Sequence, residues 1–246
     1  GQETRQRENE QFKAQNFRIT DEHLGEGSAK TKFGYNIAAI QTLKQIEAEG
    51  RQARPDEQEI LSRYVGWGGI PQAFDEENTQ WSEEYRQLKE LLTEKEYDAA
   101  RSSTLNAHYT SPTVIRAMYD AIEKMGFRAG NVLEPSCGVG NFFGMLPDDM
   151  SGSRLYGVEL DSITGRIARQ LYPDARITIS GFEKTQRRDF FDLAIGNVPF
   201  GGYKVSDKQF DKYNFLIHDY FFAKTLEQVR PGGVIAYITS KGTMDK

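Results

Sequence analysis

Between residues 131 and 240, five short apolar runs alternate with segments of helical character, and this alternation restricts the fold more than any other feature of the chain. The runs are "NVLEPS", "RLYGVEL", "ARITIS", "FDLAIGN" and "GGVIAYITS"; among them lie "GNFFGML", "SITGRIARQLYP" and "DYFFAKTLEQVRPGG". Short β-branched runs bounded by glycine and polar turn residues read as strands, and strands separated by helices indicate a parallel sheet covered on both faces. The predicted fold class is α/β, Rossmann-like and mostly parallel, preceded by a helical N-terminal extension. In such sheets ligands bind beyond the carboxyl ends of the strands, where the strand order reverses. The residues just after each run are therefore the informative ones.

Upstream the periodicity is helical. "YNIAAIQTLKQIEAEG" places Ile37, Ile40 and Leu43 on one face, and Gly50 suits its end. "RPDEQEILSRYVGWGG" carries Pro55 and acids at a helix start and glycines at its end. "SEEYRQLKELL" and "TEKEYDAAR" follow, with Thr93 and Glu96 matching a capping box. Ser111 and Pro112 read as the N-cap and first turn of "SPTVIRAMYDAIEKMG". The expected organisation is a flexible or loosely docked arm over residues 1–33, a helical extension over 34–107 and a catalytic domain over 108–246.

Composition narrows the function. The 246 residues are 38% hydrophobic and 27% charged, enough for a packed core. The polar start "GQETRQRENEQFKAQ" does not read as a signal peptide, and no apolar stretch approaches the ~18 residues of a membrane span, so a cytoplasmic protein without a membrane partner is expected. The single cysteine, Cys137, excludes an internal disulfide framework and suits a reducing compartment; scattered histidines leave no zinc pattern, so no metal is expected. The net charge of −5 means that any contact with DNA must come from a local patch.

After the first strand stand Glu134, Pro135, Ser136, Cys137, Gly138, Val139, Gly140, Asn141 and Phe142. Two glycines let the backbone turn tightly and approach a ligand, and the following helix offers free N–H groups. No Gly-Lys-Ser/Thr follows, which excludes a P-loop, and Gly144 is displaced from the third position of a dinucleotide fingerprint. A lone GxG is weak evidence. Glu159, 21 residues after Gly138 at the end of the second run, is placed to accept hydrogen bonds from both ribose hydroxyls. Glu134 is expected to receive the backbone N–H groups of the glycine loop or to face a cationic part of the ligand. A pyrophosphate would be repelled there, whereas the ammonium and sulfonium of S-adenosylmethionine (SAM) would be attracted. Cys137 reads as a small packed residue, with no histidine nearby in sequence to activate it.

"GNVPFGG" follows the fourth run and resembles the Asn-Pro-Pro-Phe signature of enzymes that methylate amino groups, which implies the following chemistry. The exocyclic amino nitrogen of adenine is a poor nucleophile because its lone pair is delocalised. Two acceptors, the Asn197 side-chain oxygen and the carbonyl of Val198, take its hydrogens and aim the lone pair; positioning and polar preorganisation then supply most of the rate. Pro199 fixes the backbone, and Phe200 offers a stacking face worth ~1–3 kcal/mol. Val198 stands where proline is the commoner residue. The lost rigidity amounts to about 1 kcal/mol or less, too little to abolish catalysis.

With these residues in order, "HYTSPTVI", "LEPSCGVGNFF", "YGVELD", "ISGFE", "GNVPFG" and "HDYFFAKTLEQVRPGGVIAYITSKG", the segment 108–246 resembles the SAM-binding catalytic domain of adenine-N6 DNA methyltransferases. It is most similar to the methylase modules of large methylase–helicase or antirestriction proteins of phages and conjugative elements, where the Asn-Val-Pro-Phe variant is usual. The resemblance implies SAM as cofactor, DNA as partner and a catalytic set of Asn197, Val198, Pro199 and Phe200. It implies that Thr110 contacts the methionine carboxylate. Glu134, Ser136, Gly138 and Gly140 line the methionine part, Glu159 holds the ribose, and Phe182 holds the cofactor adenine. Gly181 stands where many relatives carry Asp, with Glu183 as the stand-in. Tyr109, Pro135, Asn141, Phe142 and Leu160 complete the implied cofactor set, and Tyr203 and Lys204 join Phe200 in binding the substrate. The chain stops after "VIAYITSKGTMDK", before the final hairpin strands usual in that sheet, so a C-terminally incomplete domain of a larger polypeptide, one with a helicase for example, is expected.

Other features divide evenly or lean to packing. Lys204, Lys208 and Lys212 interleave with Tyr203, Phe210, Tyr213 and Phe215, as in nucleic-acid contacts or in a solvated loop. His218 and Asp219 suit capping and packing, Trp67 of "GWGG" a packed helix-ending loop ahead of presentation to DNA or to the cofactor, and Lys184, Arg187 and Arg188 a solvated face. The leading function is methylation of a flipped adenine. The alternatives are methylation of a protein glutamine amide and a non-catalytic SAM- or DNA-binding scaffold.

Overall fold

The computed structural model describes residues 13–105 and 109–243. Residues 1–12 of the expected arm, His108 of "HYTSPTVI" and residues 244–246 lie outside the described residues. Strands β1 (Asn131–Glu134), β2 (Arg154–Glu159), β3 (Arg176–Ile179), β4 (Phe191–Asn197) and β5 (Val229–Ile238) form one sheet in the order β3-β2-β1-β4-β5. All neighbours are parallel. The chain steps outward from β1 to β3, then returns to the other side of β1 for β4. The order therefore reverses between β1 and β4, and the crevice expected for a ligand opens there.

The central strands are apolar on both faces, as a covered parallel sheet requires. Val132, Leu193 and Ile195 join one buried cluster, while Leu133 and Ala194 join the other. A register shift between Phe191 and Leu193 turns Phe191 to the opposite face from Leu193. Helices α1 (Ala29–Ala48), α2 (Pro55–Ser62), α3 (Ser82–Leu91), α4 (Glu94–Ser103), α5 (Pro112–Lys124), α6 (Asn141–Gly144) and α7 (Ser162–Leu171) precede β4, and α8 (Ile217–Gln228) follows it. The first cluster gathers Ile115, Tyr119 and Ile122 of α5 and Ile163 and Ile167 of α7; the second gathers Ile217, Tyr220 and Phe221 of α8.

The helical extension is continuous with the first cluster. Ser28 caps α1 by accepting from Thr31 N, so the helix begins ahead of residue 34. Its face of Phe33, Ile37, Ile40, Leu43 and Ile46 is buried, each side chain contributing about 1.5–3 kcal/mol on transfer from water. Thr93 caps α4 by accepting from Glu96 N, one half of the expected capping box; the Glu96 carboxylate pairs with Lys44 Nζ at 3.0 Å instead. Trp67 is 2% exposed and meets Phe33, Tyr64 and Phe74 edge-on at 6.0, 6.4 and 5.4 Å, so "GWGG" is a packed loop. The described part of the arm lies along the sheet domain: Phe17 N donates to Leu171 O (2.8 Å) and Ile19 N to Gly144 O (3.0 Å). Gln58, buried on α2, donates to Gln15 O and Gln170 O and so joins arm, extension and α7.

Gly140 is left-handed (φ 89°) at the start of α6, and a β-carbon there would lie 2.6 Å from the Tyr172 ring. Gly140→Ala is expected to lose about 1–2 kcal/mol to the backbone alone, with the ring contact adding to it. Urea melts of both proteins measure this, and an unchanged midpoint contradicts it.

Candidate functional site

A cavity of about 890 Å³ opens where β1 and β4 end. From the β1 end, Glu134, Pro135, Ser136, Cys137, Gly138, Asn141 and Phe142 line it. Gly138 adopts φ 57°, which glycine allows without strain. Its N–H donates to Glu159 Oε2 at 2.8 Å, not to Glu134. The glycine loop thus closes on the β2 carboxylate; of the two roles expected of Glu134, holding that loop falls to Glu159, and facing a cationic group is the one left. Glu134 is 3% exposed, and its Oε2 has no hydrogen-bond partner among the described residues. Burial, with the Glu159 charge adding, pushes its carboxyl well above the usual range. Gly196 on the neighbouring strand leaves it room: a β-carbon at 196 would stand 3.2 Å from Glu134 Cγ.

Glu159 ends β2 and accepts from Gly138 N and from Asp161 N (3.1 Å), leaving each oxygen a further lone pair. Burial raises its carboxyl to about 7, partly opposed by these N–H groups. Leu160 lines the cavity although 75% exposed, and Asp161 caps α7 by accepting from Thr164 N at 2.9 Å. Beyond β3, Phe182 is 3% exposed and tilted against Phe221 at 4.9 Å. The Glu183 carboxylate occupies the space that a side chain on Gly181 would fill. Cys137 is buried; burial first, then the Glu134 and Glu159 charges, raise its thiol, so it is not a ready thiolate.

From the β4 end come Asn197, Val198 and Pro199. Asn197 Nδ2 donates to Thr110 Oγ1 at 3.1 Å, and Asn197 Oδ1 is buried with no partner among the described residues. Val198 extends the pairing beyond β4, its N–H donating to Ile238 O at 3.2 Å. The Val198 side chain is 1% exposed within the cluster under α8, which gives an apolar β-branched residue a structural place there.

Of the remaining residues singled out in the sequence, Tyr109, Thr110 and Tyr203 also line the cavity. Gly140, Phe200 and Lys204 are not among its lining residues. Gly140 packs on Tyr172 instead, Phe200 is half-buried, and Lys204 Nζ donates to Asn214 Oδ1 at 2.6 Å. The loop carrying Lys204 is tied to α8, where Lys224 and Tyr220 both donate to Asp207 Oδ2 at 2.9 and 2.6 Å. Tyr213 and Phe215 stack at 5.3 Å with Lys212 over Tyr213. His218 is buried in the first turn of α8, and Arg187 lies on the Phe190 ring while Arg188 pairs with Glu227.

The sequence reading missed one wall entirely. Tyr64, Val65 and Gly66, with Lys95, Ala99, Ser102 and Ser103 of α4, close the cavity from the helical extension. Buried Asn36 fixes the first of these by donating to Gly66 O (2.6 Å) and accepting from Val65 N (2.9 Å). The signal was a polar residue inside the apolar face of α1. Around the cavity the acids Glu96, Glu134, Glu159, Asp161 and Glu183 outnumber Lys95 and Arg166. Arg166 is also engaged by Glu47 at 2.8 Å. The arrangement favours a cationic ligand at the β1 end and presents an amide acceptor at the β4 end. Among the described residues no cluster of His, Cys, Asp and Glu would hold a metal ion, and no helix is long and apolar enough to cross a membrane.

No family model matches the chain. It is 27% identical over 209 residues to Defense against restriction protein B of Escherichia phage P1, covering 82% of this chain and 8% of that protein. It is 35% identical over 79 residues to Type II methyltransferase M.CvrRI of Paramecium bursaria Chlorella virus XZ-6E, covering 32% of this chain and 21% of that enzyme. Among solved structures it is similar to a candidate class I S-adenosylmethionine-dependent methyltransferase of Listeria monocytogenes, 14% identical over 88% of this chain and 76% of that one, with a TM-score of 0.46. The chain thus spans 8% and 21% of the lengths of the two sequence relatives.

Glu159 holds its proton more tightly folded (about 7) than at the ordinary carboxylate value of 4.5. The resulting stabilisation is complete below the unfolded value and is lost as pH rises through the folded one. Ligand-free protein is therefore expected to lose more stability than Glu159→Gln between about pH 5 and pH 8. Parallel pH–stability curves for the two proteins contradict this.

Proposed function

We propose that this chain is a SAM-dependent methyltransferase module that methylates the exocyclic N6 amino group of an adenine flipped out of DNA. The observation that carries the reading is the buried Asn197 Oδ1 at the end of β4, without a partner among the described residues, in the same cavity as the likewise unpartnered Glu134 Oε2. A buried acceptor without a donor costs about 1–3 kcal/mol, and a ligand N–H recovers it. Glu134 and the acids beside it fit the ammonium and sulfonium of SAM and would repel a pyrophosphate. The names of the two sequence relatives, one a methyltransferase and one a protein of defence against restriction, support a DNA-modifying role.

Bound SAM supplies an electrophilic methyl group on a positively charged sulfur. The chain's residues do the rest. Glu159 accepts from the ribose hydroxyls, Phe182 packs on the cofactor adenine, and Glu183, over Gly181, accepts from its amino group. Ser136, Gly138, Asn141 and Phe142 line the methionine side, with Tyr109, Thr110, Pro135 and Leu160 at the rim. Asn197 Oδ1 and the Val198 carbonyl accept the two amino hydrogens of the target, which aims the nitrogen lone pair. Pro199 holds the turn, and Phe200, Tyr203 and Lys204 receive the base and its flank. Unstacking the base costs a few kcal/mol, which stacking and these hydrogen bonds offset. The proposed setting is a cytoplasmic antirestriction or modification protein with further domains such as a helicase.

Methyl transfer from labelled SAM to duplex DNA tests the reading. Asn197→Ala is expected to lower the rate by about 100-fold or more with SAM affinity retained. Glu159→Ala is expected to weaken SAM binding about 10–100-fold, the loss of hydrogen bonds to a charged acceptor. Unchanged methylation in Asn197→Ala sinks the catalytic assignment. Label in protein instead of DNA would point to a glutamine amide, and SAM binding without any transfer to a scaffold. Sequencing of methylated adenines in exposed DNA identifies the target.

A further inference from the structure

We infer that Thr110 is a positioning residue that holds the Asn197 carboxamide with its oxygen toward the target amino group. The inference rests on the methyltransferase reading above and assigns the residue that makes its acceptor an acceptor. A carboxamide has two ends of nearly equal shape and opposite hydrogen-bonding sense. With the oxygen outward, Asn197 takes a hydrogen from the target. With the nitrogen outward, it opposes one donor with another and holds nothing.

In the structure Asn197 Nδ2 donates to Thr110 Oγ1 at 3.1 Å, and Oδ1 is the buried atom without a partner. The productive orientation is thus the one in which the amide N–H is satisfied within the protein and the acceptor is left for the ligand. A hydroxyl can also donate, so Thr110 selects this orientation when its own proton is given elsewhere, as to the carboxylate of bound SAM under the methyltransferase reading; were the hydroxyl absent, that orientation would strand a donor in a partly buried site.

Thr110 can do this because its backbone is held from both sides. The Tyr109 hydroxyl donates to Leu24 O at 2.5 Å, and the Tyr109 ring lies against Gly25, where a β-carbon would overlap it. Gly25 has φ 86°, so the turn that receives the ring suits glycine. On the other side Ser111 begins α5, its carbonyl accepting from Ile115 N at 3.2 Å. The amino-terminal arm therefore reaches the β4 end through Tyr109 and Thr110, over a sequence separation of 87 residues between Thr110 and Asn197.

The test compares Thr110→Val, which keeps the shape and removes the hydroxyl, with Thr110→Ser, which keeps the hydroxyl. Single-turnover methylation of DNA is measured at saturating SAM, so that altered cofactor affinity, read separately by calorimetry, drops out. Thr110→Val is expected to slow transfer about 100-fold, and Thr110→Ser to stay within about threefold of the parent. Wild-type transfer by Thr110→Val at saturating SAM, or failure of Thr110→Ser to restore the rate, overturns the inference.

A readout without turnover accompanies it. The side-chain amide protons of Asn197, identified in NMR spectra by their absence in Asn197→Asp, are expected to be protected from exchange in the parent and in Thr110→Ser but not in Thr110→Val. Equal protection in all three overturns the inference. A parent that shows this pattern yet labels no DNA would defeat the methyltransferase reading while leaving the Thr110–Asn197 geometry standing.

Discussion

The pairing of β1 with β4 is the constraint on which the site depends. Leu133 lies in register with Ala194, so Glu134, one residue on, and Gly196 and Asn197, two and three residues on, emerge together at the carboxyl ends of the two strands. No local interaction brings these segments together. The chain runs out through β2 and β3 and back before it reaches β4, and the backbone ladder together with the apolar burial of Val132, Leu133, Leu193, Ala194 and Ile195 holds the result. A β-carbon on Gly196 would crowd Glu134, so the same pairing decides which residue β4 carries beside the buried acid.

The electrostatics follow from that placement. Burial drives the Glu134 and Glu159 carboxyls upward, and the charge of Glu159 acts on Glu134. Two acids close together in a poorly hydrated crevice resist ionisation until a positive group enters. The backbone N–H groups of Gly138 and Asp161 temper the effect at Glu159 and leave Glu134 as the less satisfied of the two. The cavity is thus unfavourable to anions on its β1 side and carries a neutral acceptor on its β4 side. That division is what the proposed methyl transfer from a cationic donor to a neutral amino group would use.

Much of this was legible in the sequence. The five strands were visible as short apolar runs, and the residues after them, Glu134 to Val139, Asn141, Phe142, Glu159, Phe182 and Asn197 to Pro199, do gather in one cavity, while Gly140 packs on Tyr172 instead. The cap at Thr93 and the packed Trp67 were equally readable. The partner of the glycine loop was not. Whether Gly138 N reaches Glu134 or Glu159 depends on how far β2 extends beside β1, a matter of register that composition does not encode. The extension's wall was missed because helical periodicity tells which face is buried but not against what. Tyr64 and Ser103 gain their place only through the packing of α1, α2, α4 and α7 in one cluster.

By itself the sequence determined the elements and their chemistry: apolar runs of strand length, glycines where the backbone must turn left-handed, an acid after β2 and an amide after β4. These are local properties, set by side-chain shape and by periodicity of two or 3.6 residues. The tertiary structure alone decided which polar groups remain unpaired. The sequence marks Glu134 and Asn197 as candidates, but only the fold brings up the neighbours distant along the chain that satisfy Asn197 Nδ2 through Thr110 and leave one buried oxygen of each without a donor among the described residues. Hydrogen-bond satisfaction is a property of the assembled fold, and no short stretch of chain carries it.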